Sequence, residues 1–572
     1  MASALVLAGA PVVAAPSAMA AEPNLGGQYD LPYQLAPYYS QDVDWGPCAD
    51  GDAAALCATL EVPLDYSDTS AGTITLALKK LPASDGEAEK GSLFTNPGGP
   101  GGSGVAYVSF IASLLDSDVR AAYDVMGFDP RGVGGSTPIT CWSEEELDAV
   151  LAQASGGTLV QPDESTVDPA DTTTVDAPQL FAGERVDDGD VMFDAAYVFE
   201  HGRTMVAKCE QYSKVPAILD HMSTNDVVRD LDLMRAVVGD DTLNYLGISY
   251  GTEIGAEYLE EFPLNAGAVV LDSAVDPSIH RQQQVDDTIA HYEYQLRTFV
   301  EHWQDTVTSP LTGTPEEGKN QLGEWIAGLA ANPLPVDGTT DTIDATTAFN
   351  WITDITVMAH RDYWPTLMDG LADAMSTGDG TALAQAYTSI KTAQSGGQRV
   401  EPVAVAPSRE GIVAVWNALY ASYAVDCTGF PALGTEEDWD VHAAEVGAAW
   451  PVYSALTPEW PYMQALCAGW GHNEDAESPE PVIGRGSPEV LVTGNYDDFA
   501  TPYPWAVSLA SQLDNGHLLT VNAPIHGSIA NSCARSAISD FLMDGTLPRY
   551  GTVCPAEPRY PVVAPPPTQP GA

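Results

Sequence analysis

The stretch Leu243-Asn-Tyr-Leu-Gly-Ile-Ser-Tyr-Gly-Thr252 constrains this chain more than any other. A short apolar run leads into Gly247-Ile248-Ser249-Tyr250-Gly251, and a helix-like segment with Ile254, Ala256, Tyr258 and Leu259 follows. A strand turning sharply into a helix, with a serine at the apex, is the pattern of a nucleophile elbow. The glycines two places before and after the serine are a steric requirement, because a side chain at either would strike the neighbouring strand or helix. The turn lifts the serine hydroxyl above the sheet, at a helix N-terminus whose dipole favours developing negative charge. The bare pattern also fits a glycine-rich βα turn with a solvated serine; the flanking strand and helix favour the elbow.

The surrounding pattern supplies a sheet for such an elbow. Leu60–Tyr66 and Thr73–Leu78 alternate as edge strands do, and Ser92–Thr95, Tyr123–Phe128 and Ala268–Asp272 read as further strands. Between them Asp226–Val238 is a helix, with Val227, Leu231, Met234 and Val238 on one face and Gly239 as its stop. Alternating strands and helices mean a mostly parallel sheet with helices on both faces, the α/β class. From about Asp276 to Glu480 the pattern turns helical: Ile289, Tyr292, Leu296, Phe299 and Trp303 share a face, as do Val413, Trp416 and Tyr420. Core packing accounts for most tryptophans there, though some could line a pocket. Strands return at Glu489–Thr493 and His517–Val521. These shifts divide the chain into an apolar leader (1–21), a first part of the core (22–275), a helical insertion (276–486), a C-terminal part of the core (487–555) and a proline-rich tail (556–572).

The leader, Ala4-Leu-Val-Leu-Ala-Gly-Ala-Pro-Val-Val-Ala-Ala followed by Ala18-Met-Ala20, reads as a signal peptide, although a positive n-region is missing. No run reaches about 18 apolar residues, so membrane insertion is not expected. Eight cysteines in an exported chain suggest four disulfides. Connectivity is not legible, but pairing neighbours in order gives Cys48–Cys57, Cys141–Cys209, Cys427–Cys467 and Cys533–Cys554. No Cys/His cluster suggests zinc, and neither metal nor cofactor is expected. The net charge of −58 excludes nucleic acid as a natural partner and disfavours anionic membranes. Solubility explains most of it; attraction of cationic peptide ends is a further reading.

A serine hydroxyl needs a base oriented by an acid, and around an elbow the order is Ser, acid, His. Two histidines follow the strand at 489–493. His517 begins its strand, on the wrong edge of a parallel sheet; His526 lies beyond the C-terminal end of that strand, on the edge of the elbow, and is assigned as general base. Gly494-Asn-Tyr-Asp-Asp-Phe-Ala-Thr-Pro502 offers Asp497 and Asp498 as the acid, and adjacent loop residues point different ways, so only one reaches His526. The oxyanion hole needs backbone N–H groups: Tyr250, after the nucleophile, and the Pro97-Gly98-Gly99-Pro100-Gly101 loop, with Gly99 as donor.

These residues carry a resemblance. Asn96-Pro-Gly-Gly-Pro-Gly-Gly-Ser-Gly104, Asp129-Pro-Arg-Gly-Val-Gly-Gly-Ser136, Gly247-Ile-Ser-Tyr-Gly-Thr252, the Thr501-Pro502 loop and Cys533…Cys554 resemble the secreted tripeptidyl aminopeptidases of actinobacteria. Those are relatives of proline iminopeptidase in the S33 peptidases of the α/β-hydrolase superfamily. The resemblance covers roughly 40–280 and 410–555. It implies an α/β-hydrolase fold with a helical lid, and removal of short peptides from free N-termini through an acyl-enzyme on Ser249. It also implies an acid three residues before the threonine, at Asp498; one apparently inserted residue after Gly494 keeps Asp497 open. A secreted monomer acting on peptides with a free N-terminus is expected, with acidic lid residues holding the ammonium. An esterase or lipase on the same scaffold is the alternative, and a non-catalytic hydrolase-like binding protein the third reading.

Overall fold

Among the described residues ten strands form one sheet: β1 (Gly46–Pro47), β2 (Leu56–Pro63), β3 (Thr73–Leu81), β4 (Ser92–Asn96), β5 (Asp124–Phe128), β6 (Leu243–Ile248) and β7 (Ala266–Asp272), then, after a two-stranded ribbon of β8 (Leu334–Pro335) and β9 (Thr342–Ile343), β10 (Val490–Asn495), β11 (Gly516–Val521) and β12 (Val553–Cys554). The computed structural model describes residues 33–154, 193–306, 308–339, 342–357, 361–394, 409–474 and 476–557. The expected signal peptide, the tail from 558 onward and the Thr/Asp/Pro-rich stretch at 158–178 lie outside them. The sheet order is β1-β2-β3-β5-β4-β6-β7-β10-β11-β12. β1 to β3 pair antiparallel, as do β3 and β5, and the remaining pairs are parallel.

Both faces of the parallel strands are covered, which is why they read as continuous apolar runs. Successive residues face opposite cores. Phe94, Tyr245, Val269, Leu271, Val490 and Val492 pack into one; Leu93, Leu246, Val270 and Leu491 into the other. The helices Thr224–Val238 and Tyr250–Glu261 cover the first face, and Gly104–Leu114 and Ser532–Asp544 the second. The Thr224–Val238 helix begins two residues before the expected Asp226, because the Ser223 side chain caps it by accepting from the Asp226 N–H.

The Asp129-Pro-Arg-Gly motif is a structural anchor. Arg131 is fully buried and donates twice to Asp230 at 2.8 Å, and to the main-chain oxygens of Leu64 and His221 at 3.0 and 2.9 Å. Asp129 accepts from Ser103 Oγ at 2.5 Å and from the Val105 N–H at 3.0 Å, fastening the start of the Gly104–Leu114 helix.

The helical insertion packs in two places. Ile289, Leu296, Phe299 and Trp303 of Arg281–Gln304 join Trp364 and Tyr453 in a core of their own, with Tyr292 against it. Trp416 and Tyr420 of Arg409–Gly429, with Leu466 and Trp470 of Met463–Trp470, join the main core instead, where Trp416 meets Trp142 edge-on at 5.3 Å. The four disulfides pair as expected: Cys48–Cys57, Cys141–Cys209, Cys427–Cys467 and Cys533–Cys554. Among the described residues no helix is long and apolar enough to cross a membrane.

Candidate active site

Ser249 sits between β6 and the Tyr250–Glu261 helix at φ 59° and ψ −130°, a conformation L-residues rarely adopt. Neighbouring groups enforce it. Its N–H donates to the main-chain oxygen of Asp272 at 3.0 Å, and its own carbonyl accepts from the Thr252 N–H and hydroxyl at 2.8 and 2.6 Å. The two elbow glycines are explained by contact: a Cβ on Gly247 would lie 2.2 Å from the Gly251 oxygen, and one on Gly251 2.7 Å from the Asn96 oxygen. The loop after β4 presses on the same turn. A Cβ on Gly98 would come within 2.9 Å of the Tyr250 nitrogen, so Gly98 makes the close approach and Gly99 follows it.

Asp498 and His526 are brought together. His526 Nδ1 lies 2.8 Å from Asp498 Oδ1, and Asp498 is fully buried. The same Oδ1 accepts the N–H groups of Ala500 and Thr501 at 3.0 and 3.1 Å, while Asn495 Nδ2 donates to Oδ2 at 3.0 Å. Burial would raise this carboxyl, but the charge and hydrogen bond of His526, with the Thr501 N–H and Asn495, bring it below the usual carboxylate range. Burial would lower the His526 ring; Asp498, by charge and hydrogen bond, and then Asp272, by charge, take it above the ordinary imidazole value. With Nδ1–H given to Asp498, a neutral ring presents Nε2 as a proton acceptor.

Asp497 faces elsewhere. Its carboxylate accepts from Arg361 Nη2 at 2.9 Å, and burial, only partly offset by Arg361 and Gln295, pushes it to about 6. His517 begins β11 beside Leu491, at the opposite end of the strand from the loop carrying His526. Ser249, Asp498 and His526 all follow the C-terminal ends of parallel strands, β6, β10 and β11, where open α/β sheets bind ligands. The His526 ring hydrogen-bonds to Asp498 and Thr501, and none of its bonds runs to Ser249; in unliganded sites such contacts are often long and tighten around substrate. Among the described residues no group of three or more His, Cys, Asp or Glu side chains is arranged to hold a metal ion.

Two sequence families match this chain: "alpha/beta hydrolase fold" over residues 92–315 and "TAP-like protein" over residues 453–554. The chain has the α/β-hydrolase fold and is similar to TAP-like proteins over its C-terminal part. The first matched segment spans β4 to β7 and the elbow; the second carries Asp498 and His526. Serine protease Hip1 of Mycobacterium tuberculosis is 29% identical, over 96% of this chain and 95% of its own. The tripeptidyl aminopeptidase of Streptomyces lividans is 28% identical, over 90% of this chain and 86% of its own. Carboxylesterase B of M. tuberculosis is also 28% identical, over 96% of both.

Sequence reasoning missed several residues around the site. Asn495, Ser273 and Asp272 lie behind Asp498 and His526, and Arg361 binds Asp497. Asp272 and Asn495 stood at strand ends on the catalytic edge, which was the available signal; nothing local marked Arg361.

Proposed function

We propose that this protein is a secreted serine exopeptidase that releases di- or tripeptides, or single residues, from free N-termini. Ser249 Oγ attacks the scissile carbonyl and His526 Nε2 takes its proton, while Asp498 fixes the ring through Nδ1–H. The N–H groups of Tyr250 and Gly99 receive the oxyanion. The ring then protonates the leaving amine, and water releases the N-terminal fragment from Ser249. The observation that carries this reading is the Asp498–His526 pair at 2.8 Å, on the sheet edge where Ser249 is held strained. Four disulfides and the apolar leader support export to an oxidising compartment.

The free N-terminus would be read by residues of the helical lid (276–486), set between the two parts of the core. The Arg409–Gly429 helix lies against the oxyanion loop: a Cβ on Gly101 would be 2.2 Å from the Ala418 oxygen. Further along this helix, Asp426 is 2.6 Å from Arg281, which also lies 4.0 Å from Glu253, so those buried acids share a cation. Glu459, whose charge is felt by Tyr423 of the same helix, has no basic partner among the described residues, and burial pushes it to about 7. An arriving α-ammonium would restore its charge, and because the adjacent Trp460 ring packs against Tyr292, on which the Asp498 charge acts, Glu459 is assigned to hold it.

Matched anilides of one, two and three residues, free and N-acetylated, test the proposal. Turnover of the free peptides and failure of the acetylated ones is expected, with a KM raised about tenfold for Glu459→Gln and kcat less affected. Preference for acyl esters regardless of the N-terminus would establish the esterase reading instead.

A further inference from the structure

Asp272 ends β7, the strand lying between β6, which leads to Ser249, and β10, which leads to Asp498. Its main-chain oxygen accepts the Ser249 N–H at 3.0 Å. Its fully buried carboxylate accepts the N–H groups of Ser528 and Ile529 at 2.7 and 3.0 Å and the Thr493 hydroxyl at 2.6 Å. None of those partners is a cation. A buried carboxylate without a counter-charge is an expensive way to end a strand, and an uncharged residue would serve packing alone. The next residue, Ser273, is one of three described non-glycine residues at positive φ, at 57°. Its Oγ accepts the Gly527 N–H and Asn495 Nδ2, each at 2.8 Å, and the same Asn495 Nδ2 donates to Asp498.

Three consecutive N–H groups after His526, the residue that orients Asp498, and the backbone of the nucleophile thus converge on one dipeptide. We propose that Asp272 and Ser273 are positioning residues for hydrolysis, clamping the His526 loop and the Asp498 support to the elbow. This rests on the catalytic reading of Ser249, Asp498 and His526. The clamp also has an electrostatic side: Asp272 adds to Asp498 as a negative charge acting on the His526 ring. The other titratable groups nearby are His291 and Tyr292 of the Arg281–Gln304 helix, both acted on by the Asp498 charge, and Asp497, paired with Arg361.

The test uses full-length Asp272→Asn, Ser273→Gly and Ser249→Ala proteins, with turnover of a tripeptide anilide, its pH dependence and the thermal midpoint as readouts. Glycine at 273 keeps the positive φ without strain and removes the hydroxymethyl group that carries the accepting Oγ. Both clamp variants should lose about 10- to 100-fold in kcat with KM little changed, as expected when reacting groups are misplaced by a fraction of an ångström. The acid limb of kcat/KM should also move to lower pH in Asp272→Asn, because a charge that makes the ring more basic is gone. Folded clamp variants with kcat within twofold of the parent would overturn the proposal; if Asp272→Asn does not fold, Ser273→Gly decides alone. Ser249→Ala separates the two levels. Turnover surviving there overturns the hydrolytic reading, and the clamp with it, whereas loss there beside normal clamp variants overturns the clamp alone.

Discussion

Burial acts on Asp497 and Asp498 alike, and their partners decide the outcome. Asp498, with His526, two backbone N–H groups and Asn495, is stabilised as a carboxylate. Asp497, with Arg361 and Gln295, is pushed by burial to about 6. Asp498→Asn should therefore lower kcat by roughly three to four orders of magnitude, through loss of the ring's orientation and tautomer. Asp497→Asn should stay within a few-fold of the parent. Because the folded-state carboxyl of Asp497 titrates above its unfolded value, its contribution to stability is present at low pH and lost as pH rises through about 6. The neutral amide should then leave the thermal midpoint at pH 8 unchanged or higher. Steady-state kinetics and thermal melts of the two variants check both statements; a large activity loss in Asp497→Asn alone would reverse the assignment. Residue types made both acids visible in the sequence. Which one faces His526 depends on how the loop at 498–501 folds back on Asp498 Oδ1, a direction that strand order and residue type leave open and that only the resemblance, through the spacing to Thr501, pointed to.

Strands and helices of the core were legible because their apolar spacing is a direct consequence of two covered faces, as the alternation of Leu93 with Phe94 and of Val490 with Leu491 illustrates. The insertion was legible as helical but not in its docking. An apolar stripe such as Val413, Trp416 and Tyr420 states that a face is buried, not which neighbour buries it, and Trp142, its partner, is remote in sequence. The Cys427–Cys467 bond ties that helix to Met463–Trp470 across a sequence separation of 40. Loop closure of that length is worth about 4 kcal/mol in the chain-entropy treatment. A Cys427→Ser/Cys467→Ser protein should accordingly melt several degrees lower, and lose turnover before the core unfolds, since this helix lies against the glycine loop proposed to hold the oxyanion. Parallel melts followed by activity and by near-ultraviolet circular dichroism would read the two transitions; coincident loss would show that the helix is not a separate unit.

Across the whole molecule, a residue near the middle of the chain and two from its C-terminal quarter follow the C-terminal ends of parallel strands, and the parallel sheet is what joins them. Chain order and strand edges sufficed to select Ser249 and His526, and left Asp497 and Asp498 open until the resemblance favoured the residue three before Thr501. Their supporting groups at Asp272, Ser273 and Asn495 emerged only when β6, β7 and β10 were seen side by side. Under the proposed function, substrate choice belongs to this scale too, because the residues proposed to read the N-terminus lie in the helical insertion rather than in any motif. Covalent labelling with a fluorophosphonate, followed by peptide mapping in a mass spectrometer, tests the central claim most directly. One stoichiometric adduct on Ser249, abolished in His526→Ala, is the predicted result; an adduct on another residue, or full peptide turnover with Ser249 unlabelled, would contradict it.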